Sequence, residues 1–356
     1  MIKKLSIGLG LVAILVISSL FIFQASIGQW SFGKVVASQA GRVVSIGEED
    51  GLHLALCGTG SPLPNVNRAG PCNVVIAGEK TYIVDVGEGA NRNLTIMGVD
   101  SSTIDGLLLT HFHSDHIDGM GPMMLVHWVR DGNTMPLNVH GPTGLNAVID
   151  GFNAAYATDG TYRTAHHGEE VAPTSGGGAI ANPFEMTSDV VKVIEDGALT
   201  ITAFNVDHAP VSPAVGYRFD YKGRSLCISG DTAQSENLEK VCKGVDIIVH
   251  DSLQPKMVEE MAKAMEERGN TIASKIFFDI LDYHASPEQA AESAQRAEAK
   301  MLVLSHLVPP MPTDYLYAAF LRDAPEKFDG PIVVGEDGML FSMPADSEEI
   351  ARSSLM

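Results

Sequence analysis

The chain has 356 residues and a formal net charge of −20. That length is enough to bury a large core, and that charge repels nucleic acid at long range unless a local basic patch overrides the field. No run of Lys or Arg offers such a patch, so nucleic acid is not expected as a partner.

At the N-terminus, Lys3 and Lys4 precede an uncharged apolar stretch from Leu5 to Phe23, the length of a signal-peptide core or a short membrane span. Ser26 and Gly28 supply small residues at the −3 and −1 positions for cleavage before Gln29. With the lysines on the cytoplasmic side, everything after position 30 is expected outside the cytoplasm. The expected product is periplasmic or extracellular, with a possible membrane anchor. Residues 1–28 are read as signal or anchor, 29–50 as a linker, 51–343 as one folded domain and 344–356 as a flexible tail.

From position 51 short β-rich runs recur, among them GLHLALCGTG, NVVIAG, TYIVDVG, GLLLT, LTITAFNV, VDIIVHD and MLVLSH. Helix-like segments lie between several of them. In PEQAAESAQRAEAK, Pro287 fits the first helical position, and Ala290, Ala294 and Ala297 share a face. This order predicts an α/β domain. GEKTYIVDVGE followed by IDGLLLTH is echoed by KGRSLCISGDT followed by GVDIIVHD, which predicts two similar halves. Residues 151–198, with TSGGGAIANP, His166 and His167, are less regular and are read as a surface excursion rather than a lid. Cys57, Cys72, Cys227 and Cys242 show no CxxC spacing; Cys57 and Cys227 stand in apolar runs and are expected to pack in the core, with pairing left open.

The chemistry concentrates in LLLTHFHSDHIDG. His111 and His113 can project to one side of an extended chain, while Asp115 and His116 turn back from the loop that follows. That pattern after an apolar strand is a strong metal signal. Further donors stand at strand ends: His208 in NVDHAP, Asp231 in CISGDT and His306 in LVLSHL. The set suffices for two ions sharing Asp231 as a bridge. His127, in MMLVHWVR, is expected as a packed core histidine, and His140 ends a strand. GTGSPLPNVNRAG lacks the third glycine of a dinucleotide loop and the Gly-Lys-Ser/Thr of a phosphate cradle, and no Gly-x-Ser-x-Gly elbow is present.

HFHSDH, His208, SGDT and SHL together resemble the metallo-β-lactamase superfamily, from about Leu52 to Ser342. The resemblance implies an α/β, four-layer αββα sandwich with a two-metal site at one edge of its sheets, preceded here by the N-terminal apolar signal or anchor helix. GTGSP at Gly58 to Pro62, AVGYRF after His208, and YHASPEQAAESAQRAEAK resemble the ribonuclease Z-like branch, which includes tRNA 3′-processing endonucleases, phosphodiesterases and arylsulfatases. NRAGPCNVVI, HGPTG and AYATDGTYR look closest to the arylsulfatase-like members.

The resemblance assigns His111, His113 and His208 to one ion, Asp115, His116 and His306 to the other, and Asp231 to both. It implies two zinc ions, with manganese or iron as alternatives, and catalytic roles for Asp115, His284 and Asp251. His284-Ala285-Ser286 stands where the branch reads HST, and His250-Asp251-Ser252 where it reads HEAT, so Asp251 is one methylene shorter than the usual glutamate. The Pro-x-Lys-x-Arg-Asn loop of the tRNA enzymes is matched by Pro64, Val66, Arg68 and Ala69, without its lysine and asparagine. The expected activity is hydrolysis of a small-molecule phosphodiester or sulfate ester by a hydroxide bridging the ions, with a homodimer plausible. The alternatives are a tRNA 3′-endonuclease, a lactone or β-lactam hydrolase, or a non-catalytic scaffold.

Overall fold

The computed structural model describes residues 18–39, 46–47 and 49–356. The chain divides into two units, residues 1–44 and 45–356. In the first, α1 (Gln24–Gln39) is helical, so Ser26 and Gly28 lie within a helix rather than in an extended cleavage site, and that helix runs into the stretch read as a linker. Of the apolar stretch from Leu5 to Phe23, residues 5–17 lie outside the described residues. Among the described residues no helix is long and apolar enough to cross a membrane.

In the second unit, the alternation of β1 (Gly51–Gly58) sets the layers: Leu52, Leu54 and Leu56 pack to one side, Ala55 and Cys57 to the other. A strand apolar on both faces belongs inside a sandwich, and β1 is buried throughout. Its sheet continues through β2 (Cys72–Ala77), β3 (Lys80–Val84), β4 (Gly106–Leu108), β5 (Leu137–Pro142) and β6 (Ala179–Phe184). On the other side of β1 lie β14 (Met339–Pro344) and then β15 (Ala351–Ser354). The second sheet takes β7 (Val190–Asp196), β8 (Leu199–Asn205), β9 (Val215–Tyr221), β10 (Arg224–Ile228), β11 (Ile247–Leu253), β12 (Met301–Val308) and β13 (Ile332–Val334) side by side in chain order.

Each sheet changes from antiparallel to parallel pairing at the strands that echo one another in sequence, β3 to β4 in the first and β10 to β11 in the second. Leucines of β1 meet Ile201, Tyr217, Phe219, Val249 and Val303 between the sheets. The outer face of the first sheet is covered by α2 (Ala90–Met97), α4 (Met120–Val129) and α5 (Leu145–His167), through Leu94, Met120 and Met123. α3 (Ser114–Ile117) is a single turn. On the second sheet lie α6 (Glu236–Val241), α9 (Pro287–Arg296) and α10 (Tyr317–Leu321), while α7 (Pro255–Glu267) and α8 (Thr271–Asp279) form a smaller cluster through Val258, Ala262 and Phe277. The result is an α/β, αββα sandwich. Pro287 opens α9 behind a capping box of Ser286 and Gln289, and Ala290 and Ala294 are its buried face.

Three further expectations are corrected. The segment 151–198 is not irregular: α5 runs through its glycines to His167, and β6 and β7 follow, because side chains such as Leu145 and Ile149 anchor the helix start on the sheet. The C-terminal residues are not a free tail. The open edge of β14 pairs with β15, and Arg224 donates to the carbonyls of Pro344, Ser347 and Glu349. The cysteines are not simply packed: Cys57 bonds Cys72 and Cys227 bonds Cys242, each pair 15 residues apart in sequence.

Candidate metal centre

The seven donors singled out in the sequence converge at one edge of the two sheets. His111 is the third residue after β4 and is fully buried; its Nε2 lies 2.9 Å from His113 Nδ1. Asp115 and His116 sit in α3, which turns the chain back toward the same point. His208 arrives in the loop after β8, its Nε2 3.5 Å from His113 Nδ1, and Asp231 follows the left-handed Gly230 at the end of β10. A side chain on Gly230 would strike Thr110 Cβ at 2.9 Å, so the turn into Asp231 needs glycine.

His306 reaches the site through a bulge. Asp251 pairs with Ser305 and Ser252 with Leu307, leaving His306 as the extra residue of β12, with φ at 47°. A non-glycine residue held in that region stores strain, and here it aims an imidazole out of the sheet. His306 Nε2 lies 3.1 Å from Asp115 Oδ2 and 3.4 Å from Asp231 Oδ2. Ligating atoms of His111, His113, His208 and Asp231 lie within 4.8 Å of one another, as do those of Asp115, His116 and His306.

The electrostatics fit cations. Burial pushes His111 well below the usual histidine pKa and lowers His113 and His208, which keeps these imidazoles neutral as metal donors require. Burial acts against a charged His116 too, yet Asp231, Asp85 and Asp115 around it hold its pKa well above the ordinary value. His306, for the same reason, is pushed up to about 9. Burial would raise Asp231, but His306 and His116 hold it well below the usual carboxylate range. Carboxylates this deeply buried favour positive charge beside them, which bound cations would also supply. His116 Nε2 and Asp231 Oδ1 are 3.3 Å apart, and neither makes an aligned hydrogen bond, the condition of two ligands facing a shared ion.

Asp85 is a site residue that the metal motif does not reveal. It follows β3, accepts from Thr110 N at 2.9 Å and Thr110 Oγ1 at 2.8 Å, and accepts His116 Nδ1–H at 2.8 Å, which leaves His116 Nε2 to face the cluster. Its signal lay in the internal echo, where an acidic loop follows the equivalent strand in each half. Gly87, two residues on, lets this loop press against the metal loop: a Cβ there would lie 2.4 Å from Asp115 O. Tyr283 O plays the orienting part for His208, accepting Nδ1–H at 3.0 Å.

His284 joins the cluster, within 4.8 Å of Asp231 and His306 by ligating atoms. Its Nδ1–H donates to Asp251 Oδ2 at 2.8 Å, so the shorter carboxylate still reaches. Burial would raise Asp251, but His250 and His284 against it keep its pKa below the ordinary value. The remaining histidines stand apart. His127 is buried and donates to Ser101 O, as a core histidine does, and His166 and His167 are exposed at the end of α5. Arg68 is committed to Thr59, Gly335 O and Tyr317.

The β-lactamase superfamily domain matches residues 83–307. The chain belongs to the metallo-β-lactamase superfamily. Within the superfamily it falls in the ribonuclease Z-like branch. Ribonuclease Z of Mycolicibacterium gilvum is 34% identical over 292 residues, covering 80% of this chain and 94% of that protein. Ribonuclease Z of Mycobacterium bovis is 32% identical over 289 residues, covering 80% and 96%. Among solved structures, the metallo-β-lactamase fold protein YhfI of Bacillus subtilis superposes with a TM-score of 0.58 at 17% identity, over 83% of this chain and 100% of that one. Human short-form tRNase Z gives 0.57 at 20% identity, over 82% and 99%. At such identities the two structures speak for the superfamily fold alone.

These relatives correct two expectations. Nucleic acid was excluded on net charge, yet the curated relatives are named for a ribonuclease and none of those above for a sulfatase. The expectation of an exported protein, possibly anchored, is corrected by the same relatives, since the match to ribonuclease Z covers 80% of the chain. Among the described residues no helix is long and apolar enough to cross a membrane, and residues 5–17 of the apolar stretch lie outside them. Net charge averages over a whole surface and does not report the field at one local site.

Proposed function

We propose that the chain is a dinuclear metal-dependent phosphodiesterase that cuts RNA, in the manner for which its ribonuclease Z relatives are named. The observation that carries this reading is the convergence of seven donors, six of them buried and His113 half-buried, with two facing each other without aligned partners. In it, His111, His113 and His208 hold one cation, Asp115, His116 and His306 the other, and Asp231 bridges them. Zinc suits a donor set dominated by imidazole. Two such ions would supply a nucleophilic water at neutral pH and offset the charge that develops on the ester.

The side chains do the rest. Asp85 and the Tyr283 carbonyl fix the tautomers of His116 and His208, so both present Nε2 to the cluster. Asp251 holds Nδ1–H of His284, which leaves Nε2 as the atom that carries a proton to the departing oxygen. Asp251 steadies the imidazolium that this requires. With a chain charge of −20 and Arg68 already committed, recognition of phosphate falls on the metal cluster rather than on surface cations.

The test is incubation of the zinc-loaded full chain with a precursor tRNA bearing a 3′ trailer, alongside bis(p-nitrophenyl) phosphate, p-nitrophenyl sulfate and a simple lactone. Cleavage of the precursor and of the phosphodiester is expected. Turnover of the sulfate or the lactone with neither phosphodiester cut would overturn the reading.

A further inference from the structure

Beside the metal cluster, loops from both sheets border an open cavity of about 570 Å³. Its walls are Thr143, just after β5, Glu185 and Met186, just after β6, and the run from Asn205 to Ala214 that joins β8 to β9 and carries His208. The first sheet thus supplies one side and the second sheet the other. A volume of this order suits one small-molecule moiety.

Charge and hydrogen bonding select the occupant. Apart from His208 no wall residue is basic, while Glu185 and Asp207 are acidic, so a second phosphate is repelled from this space. Asp207 is fixed through its backbone: its N–H donates to Thr232 Oγ1 at 3.0 Å and its carbonyl accepts Ala233 N–H at 2.7 Å. Its side chain is exposed and is left free for a ligand, as is that of Glu185. Ionised carboxylates only accept hydrogen bonds, so the ligand must donate. A ribose does so through its hydroxyls, and a carboxylate on a ribose hydroxyl is a recurrent pairing.

We propose that this cavity receives the ribose of one nucleoside flanking the scissile phosphate, with Asp207 and Glu185 accepting from its hydroxyls; the proposal rests on the phosphodiesterase reading above. His208 belongs to both: its imidazole is buried with Nε2 toward the cluster, and the residue itself lies in the cavity lining. The cavity then reads RNA against DNA, with no contact to base edges required.

The experiment uses the zinc-loaded full chain with the dinucleotides ApA and dApdA, and bis(p-nitrophenyl) phosphate as a diester without sugar. ApA is expected to exceed dApdA by about tenfold in kcat/KM, mostly through KM, the size of one or two partly solvated hydrogen bonds. In the double variant Glu185→Gln, Asp207→Asn, with zinc content and melting temperature matching the parent, that ratio is expected to fall to about threefold or less. Equal rates on the two dinucleotides while bis(p-nitrophenyl) phosphate is hydrolysed overturn this proposal alone. So does full retention of the ratio in the double variant. Failure to hydrolyse any of the three diesters overturns the phosphodiesterase reading, and this proposal with it.

Discussion

Replacing Asp85 by Asn isolates the orienting carboxylate without changing its volume. Asp85 accepts three hydrogen bonds between 2.8 and 2.9 Å, two from Thr110 and one from His116 Nδ1–H. The asparagine oxygen still serves Thr110, but its amide now presents hydrogen to His116 Nδ1. The imidazole then moves its proton to Nε2, the atom facing Asp231, where a cation needs a lone pair. Loss of such a partner costs a metal ligand about 10- to 100-fold in affinity, or about 1.4 to 2.7 kcal/mol. Asp85→Ala strands a buried backbone N–H as well and is expected to lower stability by about 2 to 4 kcal/mol. Zinc titration in a metal-buffered solution measures the first effect and denaturant unfolding of the metal-free protein the second. If Asp85→Asn binds two zinc ions as tightly as the parent, the carboxylate does not set the tautomer and the argument fails.

Asp231→Ala is expected to lose bound metal and turnover together, checked by elemental analysis and diester hydrolysis; a variant that keeps both removes the bridge. His284→Ala should retain both ions yet lose about 10²- to 10⁴-fold in kcat on RNA, with a smaller loss on p-nitrophenyl diesters, whose leaving group needs little protonation. In the metal-free protein His306 titrates near 9, above its ordinary 6.5, so its contribution to stability is complete below about pH 6.5 and disappears as pH rises through about 9. A cation must displace that proton, so zinc affinity should climb between pH 7 and 9 by up to about tenfold per unit, as calorimetry would read; a flat profile contradicts the assignment. Opening the Cys57–Cys72 bond by Cys72→Ser should cost about 3 kcal/mol, the value for a closed loop of 15 residues, measured by urea unfolding.

How much of this was legible beforehand follows from what sequence encodes locally. HFHSDH packs four donors into six positions, and strand ends announce themselves as apolar runs stopping at a polar residue, so the clustered and scattered donors were both readable. The pairing of β3 with β4 and of β10 with β11 was foreshadowed by the repeated strand, loop and strand pattern. The same echo marked the acidic loop that holds Asp85 but not its role, because an acidic residue after a strand is an ordinary turn former until the fold brings His116 against it. The bulge at His306 and the cavity beside His208 depend on register and on loops far apart in sequence, which no local pattern specifies. α5 was misjudged because Gly151 and Gly160 argue against a helix that contacts with the sheet nonetheless support.

The pairing of β1 with β14 ties the opening of the domain to its close: Leu52 faces Met343 in register across some 290 intervening positions. Until the chain is complete to about residue 344, β1 is an edge with apolar side chains on both faces, open to any other strand that meets it. A ribosome releasing this protein before residue 339 would therefore leave a sticky, incomplete sheet, and premature termination there is expected to yield aggregates rather than a slightly weaker enzyme.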